Sequence, residues 1–223
     1  MNLSTVIKVI VATGTLFAAA DSIAAATDPS GKVQGSTLTI KNGFTDDVSK
    51  SVADATSKIK KENLVLSLEE ISDEDLTGII KAYPEMKDIK ISSKKLTKID
   101  PLKDASIINN IVIKADNVTD FSALAKFKNI KSVSIDSDGL NSLKWMSEMT
   151  DLTYGTIHAS PNLKSLEGIP NAPKVKDFGT EAMDADLTPL SALSNVERLR
   201  LTGAKISDLK QISSLKNIKE MSL

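Results

Sequence analysis

The sequence predicts an α/β repeat fold: a solenoid with a parallel sheet on its concave face, short 3₁₀ or helical returns behind it, and a helix-containing cap at its N-terminal end. Three observations predict it. Units of about 22 residues begin at Met86, Ile108, Ile130, Leu152, Val175 and Val196, and a seventh, incomplete, begins at Ile218. Apolar residues fall three and five positions into the units, as in Ile89 and Ile91, Ile111 and Ile113, Val133 and Ile135, and Leu199 and Leu201. Behind them apolar residues recur about every third position, as in Val118, Phe121, Leu124 and Phe127.

Two apolar positions separated by one residue put both side chains on the same face of a strand, so each unit supplies one short strand. A period of three fits a 3₁₀ turn or a single α turn, and the remainder of a unit is too short for a long helix. Asp120, Ser142, Ser165, Asp186 and Asp208 stand just ahead of these returns, where a short oxygen side chain can accept the free backbone N–H groups. No unit can bury its apolar edge alone, so the units must stack. The fourth and fifth are weaker, with Gly155 and Ile157, then Phe178 and Thr180, at the inward positions.

Residues 37–85 read as the N-terminal cap and an atypical first repeat, with strands at 38–40 and 64–68 and helices over 46–61 and 73–83, the second ended by Pro84. A small separate α/β domain is the alternative. Residues 86–223 hold about six repeats. Ile218, Met221 and Leu223 repeat the strand pattern and no cap follows. The sequence therefore reads as a fragment of a longer protein, or else as a structural or assembly component of the cell envelope docking through an open edge.

Residues 1–26 read as a secretory signal peptide. Positions 6–20 are almost wholly apolar or small, Lys8 lies near the start, and Ala24, Ala25 and Ala26 form a small-x-small cleavage pattern ahead of Thr27. Asp21 and Ser22 break the run before it reaches the roughly 20 apolar residues of a membrane span, so no membrane insertion is expected after cleavage. Residues 27–36, rich in Gly, Ser, Pro and Asp, read as a flexible lead-in. A cysteine-free, Lys-rich exported chain fits a bacterial secreted or cell-surface protein better than a eukaryotic extracellular domain, where disulfides are usual.

Composition narrows the function further. A net charge of −1 lacks the clustered basic charge that grips nucleic acid. No cysteine and a single histidine argue against thiolate sites and a dedicated zinc site. There is no Gly-rich phosphate loop and no histidine spaced to serve a nucleophile, and the carboxylates fall mostly at caps and on solvated faces. No enzyme site and no cofactor are expected.

The run from Asp186 to Leu201, DLTPLSALSNVERLRL, and the run from Ile206 to Ile212, ISDLKQI, closely resemble the repeat of the bacterial internalin-type leucine-rich-repeat proteins. The resemblance covers about residues 86–223. It implies a leucine-rich-repeat solenoid, export, a concave sheet that binds host or surface proteins, and no enzymatic activity. The Asn that usually follows the strand in such repeats is mostly absent, its place taken by Lys94, Asp116, Asp138, Ser160 and Ala204, which predicts less regular bonding between turns.

Outward positions two, four and six of each unit should form the concave surface. Binding energy at interfaces concentrates in Tyr, Trp and Arg. On that ground Tyr154 and His158, with Asp177, Glu181, Arg198 and Arg200 beside them, are the candidate partner-binding residues. Trp145 belongs to a return and is expected to pack or to lie on the convex side.

Overall fold

The structure, a computed structural model, describes residues 36–44, 46, 49, 50, 53, 64–159, 162–181, 186–202 and 209–223. The segment expected to be a signal peptide, the expected lead-in up to residue 35, most of the helix expected over 46–61, and Ser160, Ala204 and Asp208 lie outside the described residues. Nine strands form one open parallel sheet in chain order. They are β1 (Ser36–Lys41), β2 (Leu64–Glu69), β3 (Asp88–Ser92), β4 (Asn110–Lys114), β5 (Ser132–Ser137), β6 (Tyr154–Ala159), β7 (Asp177–Thr180), β8 (Arg198–Leu201) and β9 (Glu220–Ser222).

The repeat sets the register. Ile89 lies opposite Ile111, then Val133, Gly155, Phe178 and Leu199, while Ile91 leads through Ile113, Ile135, Ile157 and Thr180 to Leu201. Every residue of these two ladders is buried. Leu38 and Leu66 extend the first ladder and Ile40 and Leu68 the second, so β1 and β2 share one hydrophobic core with the regular units. Thr180 is the exception within the second ladder, its hydroxyl buried without a hydrogen-bond partner. At the far end β9 is exposed throughout.

Helix α1 (Asp73–Ala82) occupies the return position between β2 and β3 and buries Leu76, Ile79 and Ile80. Its start is fixed by a capping box. Asp75 N donates to Ser72 Oγ at 3.2 Å, while Ser72 N and Ser72 Oγ both donate to Asp75 Oδ2 at 2.8 Å. Phe44 N donates to the other oxygen at 2.6 Å, so one carboxylate ties the segment after β1 to the helix. Burial pushes the Asp75 pKa up, but the bonds from Ser72 and Phe44 and the charge of Lys95 outweigh it and hold the carboxyl below its usual range.

A group with a depressed native pKa contributes stability that is present above its unfolded value, about 3.9 for Asp, and is lost as pH falls through the native value. Asp75→Ala is expected to cost about 1–2 kcal/mol near neutral pH. That difference from the parent should shrink to the loss of packing alone under strongly acid conditions. Urea titrations at neutral and acid pH check both parts, and a pH-independent difference would mean the carboxylate is not what ties these segments together.

Later returns are shorter, with 3₁₀ turns at Asp100–Asp104, Ser122–Lys126, Lys144–Met146, Thr188–Ala192 and Leu209–Ile212. Four of the short oxygen side chains expected ahead of the returns accept from the backbone two residues on. Asp120 Oδ1 accepts from Ser122 N at 2.8 Å, Ser142 Oγ from Lys144 N at 3.3 Å, Ser165 Oγ from Glu167 N at 3.1 Å and Asp186 Oδ1 from Thr188 N at 2.9 Å. Trp145 is buried, its ring centroid 5.9 Å from that of Phe121 and its indole N–H donating to Ser142 O at 2.9 Å.

Bonding between the turns departs from expectation, because other residues do the work of the missing Asn. Ser93 Oγ donates to Ile71 O at 2.7 Å and accepts from Lys95 N at 3.1 Å. Ser137 Oγ lies 2.8 Å from Ala115 O and 3.0 Å from Val118 O and accepts from Gly139 N at 3.2 Å. Asn117 Nδ2 donates to Lys94 O at 2.7 Å and Asn162 Nδ2 to Asp138 O at 3.0 Å. Among the described residues, Ser93, Asn117, Ser137 and Asn162 thus tie the turns that follow β3, β4, β5 and β6 each to the one before.

Candidate functional site

The outward side chains of the sheet form three rows across the strands. Tyr154, Asp177, Arg198 and Glu220 are register partners in one flanking row. Lys90, Val112, Ser134, Thr156, Gly179 and Arg200 form the central row. Lys114, Asp136 and His158 follow one another in the other flank, and Glu181 continues it by pairing with His158, Nδ1 to Oε1 3.1 Å.

All six candidate residues fall on or beside β6, β7 and β8. Asp177 organises one side of the patch. Its Oδ2 accepts from Arg198 Nη1 at 2.7 Å, and Arg198 Nε also donates to Glu220 at 2.8 Å. Hydrogen bonds to Glu220 and then Asp177 raise the Arg198 pKa above its already high value. Arg200 Nη2 lies 2.7 Å from Asp177 Oδ1, yet this buried oxygen has no hydrogen bond of acceptable geometry. Distance and angle together show a charge contact without a directed bond, and Asp177, with 17% of its side chain exposed, is held between two guanidinium groups.

The central row is lower here than the alternation implies. Thr156 and Gly179 are buried instead of displayed. Thr156 Oγ1 donates to the Tyr154 hydroxyl at 2.7 Å, and Arg200 lies across Gly179, its Nε 3.4 Å from where a Cβ would stand. The Arg200 side chain thus packs over the bare backbone of Gly179 on its way to Asp177. The patch is therefore two walls, Tyr154 with Asp177 and Arg198 on one side and His158 with Glu181 on the other, around a floor of small residues closed at one end by Arg200.

A second feature lies nearer the N-terminal end and was not singled out by the sequence reading. A groove of about 460 Å³ opens over β2 to β5, lined among others by Glu69, Lys90, Val112, Lys114 and Ser134 and reaching His158. Its one signal in the sequence is Val112, an apolar residue at an outward position. Among the described residues, no group of three or more His, Asp or Glu is placed to hold a metal ion, and no helix is long and apolar enough to cross a membrane.

An open parallel sheet with one strand per unit and short 3₁₀ returns is a leucine-rich-repeat solenoid. Solved structures sharpen this. An internalin of Listeria monocytogenes (inlF) matches with a TM-score of 0.64 at 18% sequence identity, covering 88% of this chain and 57% of its own. Internalin C2 of the same organism matches with a TM-score of 0.66 at 20% identity, covering 86% of this chain and 80% of its own. The chain has the internalin-type leucine-rich-repeat fold, and it spans a little over half the length of the first of these structures. No family model and no curated protein sequence matches it.

Proposed function

We propose that the chain is an exported or surface-displayed protein-binding module, whose concave sheet seats a host or bacterial surface protein around Tyr154, His158, Asp177, Glu181, Arg198 and Arg200, in the manner of internalin-like adhesion. A fold does not by itself fix a function, so the reading rests on the site. The observation that carries it is the gathering of a tyrosine on β6 and two arginines on β8 around β7, with both guanidinium groups already in contact with Asp177. Side chains ordered before binding lose less entropy when a partner arrives, which is how small patches reach useful affinity. Export is supported by the apolar leader and its small-x-small end.

The test uses protein recovered from the exported fraction of the producing cells, whose N-terminus is expected near Thr27. A photo-crosslinking side chain at His158, on the concave face, should give a discrete protein adduct on intact target cells. The same group at Lys103, on a return, should not. Arg198→Ala combined with Arg200→Ala should cut the adduct at least tenfold. Retention in the cytoplasm with Met1 intact would remove the export reading, and equal labelling from both positions would remove the concave one.

A further inference from the structure

We propose that the N-terminal half of the concave face is a second binding subsite, centred on Lys90 and Val112, that takes an extended protein segment carrying a carboxylate two residues from an aliphatic side chain. This rests on the reading that the concave face binds protein. The groove over β2 to β5 is the place, and two of its three lysines are already neutralised. Lys41 Nζ lies 2.9 Å from Glu69 and Lys114 Nζ 2.5 Å from Asp136. Lys90 stands between these pairs with no carboxylate within ion-pair distance among the described residues. Arg198 and Arg200, further along the same face, are both paired. With the lysines on either side matched, a cation left open at the centre of the groove favours an anionic group from outside, since Glu70, the lining carboxylate without an ion pair, does not come within ion-pair distance of it.

Val112 fixes the second half of the specificity. It is 37% exposed, while its neighbours Ile111 and Ile113 fill the core, so the fold gains little from an apolar side chain there. A lone exposed valine on a convex surface is unremarkable. On the floor of a groove, between Lys90 and the small Ser134, it is an apolar contact open to a ligand. Lys90 and Val112 are register partners on adjacent strands, about 4.8 Å apart, and an extended chain presents alternate side chains on one face at about 6.6 Å. The reach of the lysine stem absorbs the difference. An acid-x-aliphatic segment lying across the strands thus meets both residues, with Ser67 and Ser92 along the groove to bond its backbone.

The probe is a phage-displayed library of random linear dodecapeptides selected on the full chain, the enriched peptides then resynthesised and titrated. Enrichment of an Asp or Glu two residues from Ile, Leu or Val is expected, with affinity falling at least tenfold in Lys90→Glu and in Val112→Asp and less than twofold in Arg198→Ala. Replacing the peptide's acid by Lys should restore binding to Lys90→Glu and not to the parent. Both substituted positions are outward, and an unchanged thermal transition confirms that the variants fold. No enrichment, enrichment of neutral or basic peptides, or binding indifferent to Lys90→Glu overturns the proposal. Peptides that depend on Tyr154 and Arg200 instead of Lys90 overturn the subsite and leave the concave reading standing, whereas peptides insensitive to every concave substitution overturn both.

Discussion

Leu199→Asp is expected to unravel the C-terminal repeats, while Arg200→Gln, one residue along the same strand, leaves stability within about 0.5 kcal/mol of the parent. Leu199 is fully buried, with Phe178 on one side and Met221 on the other. Both ladder partners are apolar and offer a carboxylate nothing to bond. Burying it charged or protonating it first is unfavourable either way, at a cost on the order of 4 kcal/mol or more. Arg200 points into the concave face, and Asp177 keeps Arg198 when the second guanidinium is removed. Because each unit of a solenoid touches only its neighbours, the damage should be local. Amide exchange should show protection lost over β7 to β9 and kept over β3 to β5. Equal loss of the thermal transition in both variants would mean that the strand register is wrong.

That register was legible because it depends on one simple property. Strand residues two apart share a face, so Ile111 with Ile113 and Val133 with Ile135 announce both the strand and its inward side, and a repeat near 22 residues aligns neighbours without further information. The caps were legible for a similar reason, since Asp120, Ser142, Ser165 and Asp186 act on backbone two residues away. Contacts reaching across to another unit were not. Ser93 and Ser137 bond turns about 22 residues away, and nothing in their local sequence separates them from exposed serines. The same limit applies to the candidate site. Outward alternation placed Tyr154, His158, Asp177, Glu181, Arg198 and Arg200 on one face, but it could not show that Asp177 gathers two arginines or that Lys90 is left unmatched. Those facts depend on side-chain reach across strands.

The two units weakest in sequence explain each other in three dimensions, and Phe178→Ala should expose this with a loss of about 3–5 kcal/mol, towards the upper end for a phenylalanine. Gly155 leaves a gap in the first inward ladder where Val133 precedes it and Phe178 follows. A Cβ on Gly155 would stand 2.8 Å from the Phe178 ring, so the ring of β7 occupies the volume that a side chain on β6 would otherwise take. Removing the ring therefore empties two positions at once, and glycine cannot relax into the space. Gly155→Val alone should also destabilise, by about 1–3 kcal/mol, because the new methyl groups meet a buried ring packed on every side. The two changes should compensate. Gly155→Val with Phe178→Val puts a medium aliphatic residue at both positions, as in the neighbouring units, and should recover most of what either change loses. Urea unfolding of the parent, the two valine single variants and the double variant gives the coupling energy, expected at about 1–3 kcal/mol for residues sharing one cavity. Additive losses would show that the ring does not fill the space beside Gly155 and that the weak fourth unit is held by contacts elsewhere.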